Sequence, residues 1–387
     1  MTQQLQSAAD HFELAWRGLR GTGSDRVNAA SAPVRVEEFL FAQVPTDVGA
    51  LLDGGSGHSM QYGQDWLSNF AQHVGTADHR ARLFVLRREG VATLALPVFL
   101  IGKDNGRVQG VEALANYYTA VFAPALSESA DSTDLTVVLR AILNKYPKTA
   151  SMRFSPMDPE HRSYAVMADA LSNCGLLAFP FFAFGNWYRV VTNVRWSTLR
   201  SSLKSRLRNT LSRLGKKFAA DGGQLEIVTG GDRLEVALDA YLAVYARSWK
   251  QTEPYPGFMP GLVRTCAKRG WLRLGVAWLG ETPIAAQVWI VAQDRAEIFK
   301  VAYDERYGQY SIGSLLTAAL LEKALDVDQV HEVDYLIGDD AYKKEWVDQR
   351  RERWGLIAYN PRTLGGLLGV CRESAGRILK LLKLRPA

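Results

Sequence analysis

The sequence predicts an α/β fold, in the α+β sense of mixed, mostly antiparallel sheets flanked by helices, arranged either as two similar halves or as one large domain. Three observations carry this. LFVLRREGVATLALPVFL in the first half and LGVAWLGETPIAAQVWIV in the second each read as strand, turn with charged residues or glycine, strand. Downstream of each hairpin a helix leads into a further strand, ASMRFSPMD in one half and HEVDYLIGD in the other. The chain has 387 residues, 47% of them hydrophobic, enough to fill two cores.

Taken in order, residues 1–34 are polar and without sustained period, and are expected to form a flexible leader. The first domain is expected at 35–190, with a helix near Asp65 to His73, the first hairpin, a helix near Asp134 to Lys145 and the strand ASMRFSPM. The second is expected at 191–361. It opens with a basic helix whose leucines 199, 203, 207, 211 and 214 make an apolar stripe. A helix from Leu234 to Trp249, the strands WLRLGVAWLG, PIAAQVWIVAQ and AEIFKVAYD, a further helix and strand, and a last strand GLIAYN complete it. Residues 362–387 form a basic amphipathic helix with Leu364, Leu367, Leu368, Cys371, Ala375, Ile378 and Leu382 on one face. This face either lies on an anionic membrane surface or docks back on the protein.

Charge and composition narrow the function. The net charge of +6 is concentrated, with eight basic and no acidic residues between Arg195 and Lys217. This makes the helix face bearing Arg200, Lys204 and Arg208 either a solvated surface or a binder of phosphate-bearing substrate or membrane. Aromatics are not interleaved there, which disfavours nucleic acid. Cys174, Cys266 and Cys371 are odd in number and far apart, so a disulfide framework and a zinc site are not expected, and a reducing cytoplasm is. The histidines show no metal-ligand spacing. No run is long and apolar enough to span a bilayer, and no export signal is read.

The chemistry concentrates between Tyr310 and Trp346. Gly313 and Ser314 open an apolar-periodic run, so free backbone N–H groups at a helix start are expected to face an anionic ligand. The strand HEVDYLI then ends in a polar cluster containing Asp339, Asp340, Tyr342 and Lys343.

In their order, WSTLRSSLKSRLRN, GETPIAAQVWI, VAYDERYGQYSIGSLL and VDYLIGDDAYKKEW make the second half resemble the BioF2-like (CelD/BcsL-type) acyltransferase family of the GNAT superfamily. Its relatives, the Fem-type transferases, carry two GNAT-like domains in tandem. The resemblance implies that Tyr310, Ser311, Ile312, Gly313, Ser314 and Leu315 bind the pyrophosphate of acyl-CoA. Tyr310 stands where the superfamily pattern has glutamine or arginine, and Leu315 where it has a small residue, so a donor on acyl carrier protein or tRNA stays open. Acyl-CoA is a substrate, and no permanently bound cofactor is implied.

Acyl transfer to an amine needs proton removal, oxyanion stabilisation and protonation of the leaving thiolate. Asp339, Asp340 and, further back in the strand, Asp334 are the candidate proton acceptors. Tyr342 lies where GNAT enzymes often place the tyrosine that protonates the thiolate, and Lys343 binds phosphate or polarises the carbonyl. Alternatively, Asp339 and Asp340 cap the short helix AYKKEW and the lysines are surface charges. Asn116, Tyr117 and Tyr118 either face the acceptor in the interdomain cleft or anchor a loop. The expected activity is N-acylation of an amphiphilic amine, for example a sphingoid base giving ceramide, on the cytoplasmic side of the inner membrane. An amino-sugar N-acetyltransferase and a non-catalytic scaffold of a membrane-associated assembly are the alternatives.

Overall fold

The computed structural model describes residues 34–55, 59–102 and 107–383; all but the last residue of the expected leader at 1–34 lies outside them. The first half runs β1 (Val34–Phe39), α1 (Thr46–Gly55), α2 (Gln64–Val74), β2 (His79–Arg88), β3 (Val91–Ile101), β4 (Gly110–Ala113), β5 (Ala125–Leu126), α3 (Ser132–Lys145), β6 (Ser151–Met157), α4 (Arg162–Asn173) and β7 (Leu177–Val190). Helices α5 (Trp196–Ser202) and α6 (Ser205–Ala220) follow. The same order then returns: β8 (Gly223–Val228), α7 (Leu234–Arg247), α8 (Phe258–Lys268), β9 (Leu272–Leu279), β10 (Thr282–Ala292), β11 (Arg295–Tyr303), α9 (Ile312–Glu322), β12 (Glu332–Ile337) and β13 (Gln349–Tyr359). The chain continues into α10 (Leu364–Lys383).

Both hairpins read from the sequence are present, β2 with β3 and β9 with β10. Arg88 pairs with Val91 across a two-residue turn whose Glu89 and Gly90 have φ of 51° and 83°. Positive φ at both central positions gives the turn the twist that antiparallel strands require. The basic helix is two helices, not one. Leu203 adopts an extended conformation between them, and Arg208 clamps the break by donating to the carbonyls of Ser201 and Leu203. The kink still buries the whole leucine stripe, so the apolar period reports burial correctly but not the break.

All strands join one sheet in the order β1-β2-β3-β4-β6-β13-β7-β12-β11-β10-β9-β8, with β5 on β3. The two halves exchange their last strands. β13 inserts between β6 and β7, and β7 pairs with both β13 and β12, so a pseudo-twofold axis passes between β13 and β7. One face is covered by α1, α2, α7 and α8, whose side chains share a core drawn from both halves. On the opposite face α3 and α4 cover the first half, and α5, α6 and α9 the second.

Candidate active site

Parallel pairing of β11 with β12 lasts three residues, Arg295 with Glu332, Ala296 with Val333 and Glu297 with Asp334. Beyond that point the strands part. A Leu336 φ of 53° bends β12 away, and the Asp334 carboxylate secures the bend by accepting from the Leu336 N–H at 2.7 Å. A leucine in this region is strained, and such strain persists only where its surroundings hold it. The gap is a pocket of 170 Å³ lined by Ile298–Val301 of β11, Tyr335–Ile337 of β12, and Tyr117, Tyr118, Lys250, Asp340, Tyr342 and Lys343. Backbone groups of β11 facing the gap lack a neighbouring strand, which suits them to bind an extended polar ligand.

Helix α9 begins just after β11. Ser311 sits in the left-handed region with φ 49° and ψ 43°, and Ile312 starts the helix one residue before Gly313. Among the described residues the N–H groups of Ile312 and Gly313 have no hydrogen-bond acceptor. The Tyr310 side chain is held by the protein. Its ring packs on Phe218 and its hydroxyl donates to Asp221 at 2.7 Å, which also takes Lys217 at 2.6 Å. Ser311, Ser314 and Leu315 close the first turn, Ser314 and Leu315 donating to the Ser311 carbonyl.

The acidic candidates separate by environment. Asp339 is gripped by Arg350 through two bonds of 2.8 and 2.9 Å and by the Trp187 indole at 2.8 Å. Arg350 holds its carboxyl down to about 2, so Asp339 fastens β7 to β13 and is a weak proton acceptor. Asp334 is 2% exposed; burial raises its pKa, but Arg351 and Asn186 more than offset this, and its charge is spent inside the sheet. Asp340 is different: its side chain is exposed, lines the pocket and pairs with Lys343 at 3.2 Å. It stands at the cap of the short helix Ala341–Glu345 without capping it through its side chain.

Lys343 is 3% exposed and donates to the carbonyls of Ile337 and Gly338, so its ammonium ties down the end of β12. Burial lowers its pKa. Tyr342 lies at the pocket mouth, 48% exposed and edge-on to Tyr335 at 6.1 Å. Desolvation by the surrounding wall, with the Asp340 charge, pushes its phenol up to about 12, which keeps the proton on the oxygen near neutral pH.

The opposite wall was not legible as a site. Glu253, on the loop before α8, accepts from Tyr118, from Tyr117 at 3.1 Å and from Lys300 at 2.7 Å. Burial works against its charge, but Lys300 and Tyr118 bring its pKa below the usual carboxylate value. Lys250 projects beside it near the Tyr245 and Trp249 rings, and burial, then the Lys300 charge, lowers its pKa. The one sequence signal was Lys300 itself, a lysine set between the apolar Phe299 and Val301 in the strand AEIFKVAY. Tyr118 is a buried anchor stacked on Phe258 at 4.0 Å, whereas its neighbour Tyr117 is half exposed to the cleft. Asn116 accepts from the Tyr118 N–H at 2.8 Å.

Arg200, Lys204 and Arg208 are not brought to this pocket. Arg200 donates to Ser212 and Arg208 to the break between α5 and α6, so two of the three serve helix geometry. Deeper in the sheet, Glu297 is buried under Gln61, and burial followed by the Asp334 charge lifts its carboxyl to about 7. Among the described residues no group of three or more His, Cys, Asp or Glu side chains is placed to hold a metal ion.

Helix α10 is turned against its amphipathic pattern. Gly366 and Gly369 press on Asn360 and Tyr359, and Arg377 reaches the Pro180 carbonyl and the Phe179 ring. The leucine face therefore points to solvent, with Leu364 83% and Leu368 71% exposed alongside Leu367, Ile378 and Leu379. Leu382 and the side chains of Lys380 and Lys383 lie outside the described residues. No helix among the described residues is long and apolar enough to cross a membrane.

Comparison with known proteins agrees with this architecture. Residues 205–344 match the acetyltransferase (GNAT) domain family. The fold is that of FemX, with a TM-score of 0.57 at 11% identity over 86% of this chain and 98% of that one. It is also that of L-PGS from Bacillus licheniformis, with a TM-score of 0.53 at 12% identity over 82% and 92% of the two chains. A conserved protein of unknown function from Bacteroides thetaiotaomicron gives 0.53 at 11% identity over 85% and 100%. No curated protein matches the sequence. The chain thus has one mixed sheet built from two halves of similar strand order, and the GNAT family match falls in the second.

Proposed function

We propose that this protein is an N-acyltransferase that takes an acyl group from acyl-CoA in the gap between β11 and β12 and passes it to an amine in the cleft between the halves. The observation that carries the reading is the splay itself: two parallel strands part after three residues, a helix N-terminus follows the first, and an exposed carboxylate and a protonated phenol stand at the mouth. The pyrophosphate lies on the Ile312 and Gly313 N–H groups, and the pantetheine runs along the unpaired edge of β11. Asp340 takes a proton from the substrate ammonium. The amine nitrogen bonds to the thioester carbon and gives up its second proton to solvent, the C–S bond breaks, and the thiolate leaves with the proton of Tyr342, which Asp340 replenishes through solvent. Lys250, which lines the same pocket, is the cation for the oxyanion. In this reading 191–361 holds the donor and 35–190 the acceptor, with β7 and β13 exchanged between them. Binding of CoA by calorimetric titration is the direct test, and absence of binding defeats the reading.

The acceptor is an amphiphilic amine such as a sphingoid base, taken from the cytoplasmic face of an anionic membrane on which α10 lies. The outward leucine face supports this, because a helix that docks through its glycines and exposes its leucines has apolar area to bury elsewhere. Replacing Leu368 and Ile378 together by serine removes about 1.5–3 kcal/mol of burial at each position. Binding to vesicles of phosphatidylglycerol and phosphatidylcholine is expected to weaken more than tenfold with the melting temperature unchanged. Unaltered vesicle binding by the double variant contradicts the membrane assignment.

A further inference from the structure

The pseudo-twofold axis relates the β11/β12 splay to a second one. β4 and β6 are also parallel for three residues, Gly110 with Ser151, Val111 with Met152 and Glu112 with Arg153, and then part. Their gap holds a cavity of 550 Å³, more than three times the volume of the first pocket. β7 supplies its far wall with Phe181, Phe182 and Phe184, and Pro156 closes the β6 side. The cavities meet: Tyr117 and Ile337 line both.

We propose that this first-half splay is the acceptor site and that it takes a primary alkylamine, the chain along the phenylalanine wall and the ammonium beside Glu112. Glu112 is the sole carboxylate of the lining and has no ion-pair partner among the described residues. Arg153, the sole base of the lining, has its guanidinium stacked over the Phe181 ring at 4.6 Å. A carboxylate set among aromatic faces recognises an ammonium by charge and by the ring quadrupoles, and the apolar wall gains by covering an alkyl chain. A sugar phosphate would meet the opposite arrangement, hydroxyls against phenylalanines and its anion near Glu112. The amide nitrogen of Asn116 is buried without a partner at the same wall, ready to donate to an oxygen borne near the amine. The shared wall at Tyr117 and Ile337 joins this cavity to the donor pocket, where the new amide bond has to form.

The inference rests on the N-acyltransferase reading, and the test separates the two. Dodecylamine, below its micelle concentration, and glucosamine are titrated calorimetrically into the wild type, Ala183→Trp, which fills the cavity, and Glu112→Gln, which is isosteric. CoA is titrated into the same samples. Dodecylamine is expected to bind the wild type and glucosamine not to, and each variant is expected to weaken dodecylamine at least tenfold while leaving CoA unchanged. Dodecylamine binding that is absent from the wild type, or untouched by Glu112→Gln, overturns the acceptor site. Absence of CoA binding strikes the acyltransferase reading instead, whatever the amine does.

Discussion

Arg351→Met is expected to destabilise the protein by about 3–5 kcal/mol, the cost of leaving a buried charge without its partner. Arg351 on β13 donates to Asn186 at 2.6 Å and to Glu332 at 2.7 and 3.2 Å, pairs with Asp334 and covers the Tyr188 ring. It thereby joins β13 to β7, the two strands that the halves exchange, and to β12. Without it the Asp334 charge stays in the sheet, and the bend at Leu336 loses the group that holds its carboxylate in place. Asn186 still donates to Asp334, at 2.5 Å, but supplies no charge. Urea unfolding measures the loss. The double variant Arg351→Met, Asp334→Asn is expected to be less unstable than the sum of the single changes, since it removes the orphaned charge. A single change costing under about 1 kcal/mol, the range of an exposed pair, would mean that the network does not secure the seam.

Tyr342→Phe is expected to lower turnover by about 10²–10⁴, the usual contribution of a positioned general acid. Stability should not change, because the ring stays edge-on to Tyr335 and no hydrogen bond of the hydroxyl is lost among the described residues. Steady-state kinetics with thiol release as the readout distinguish this from a binding role. A fall in kcat at constant KM for the acyl-CoA agrees with protonation of the thiolate, whereas full kcat with a raised KM makes Tyr342 a wall of the pocket. Asp339→Asn should behave differently: its contacts are with Arg350 and Trp187, so its loss registers first in stability.

The hairpins were legible because a charged or glycine turn between two apolar runs has few other solutions, and Glu89–Gly90 adopts the left-handed pair the turn demands. The leucine stripe from 199 to 214 was legible as burial, since a 3.6-residue period reports a face. It did not report the break at Leu203, which Arg208 stabilises from five residues away. β7 was missed: LAFPFFAFGNWYRV carries Pro180 and Gly185, both unfavourable in a sheet interior, and its partners β12 and β13 lie in the other half of the chain. The site was legible where polar residues cluster in sequence, at Asp340, Tyr342 and Lys343, but their roles were not. Which carboxylate is free depends on Arg350 and Arg351, two neighbours on β13 that no local pattern singles out. Glu253 and Lys250 sit in a loop without periodicity, and both splays follow from strand pairing that stops after three residues, a property of tertiary geometry alone.

The central claim is that the β11/β12 gap, with the α9 N-terminus behind it, holds CoA. Calorimetric titration of CoA into the wild type and Gly313→Asp tests it most directly. A Cβ at Gly313 meets the Tyr303 ring at an ordinary 3.5 Å, and a carboxylate in the first turn favours the helix, so the variant is expected to fold. Its charge would face the pyrophosphate. The account predicts binding to the wild type and at least a tenfold loss, about 1.4 kcal/mol, in the variant. Equal affinity in both proteins, or none in the wild type, contradicts it.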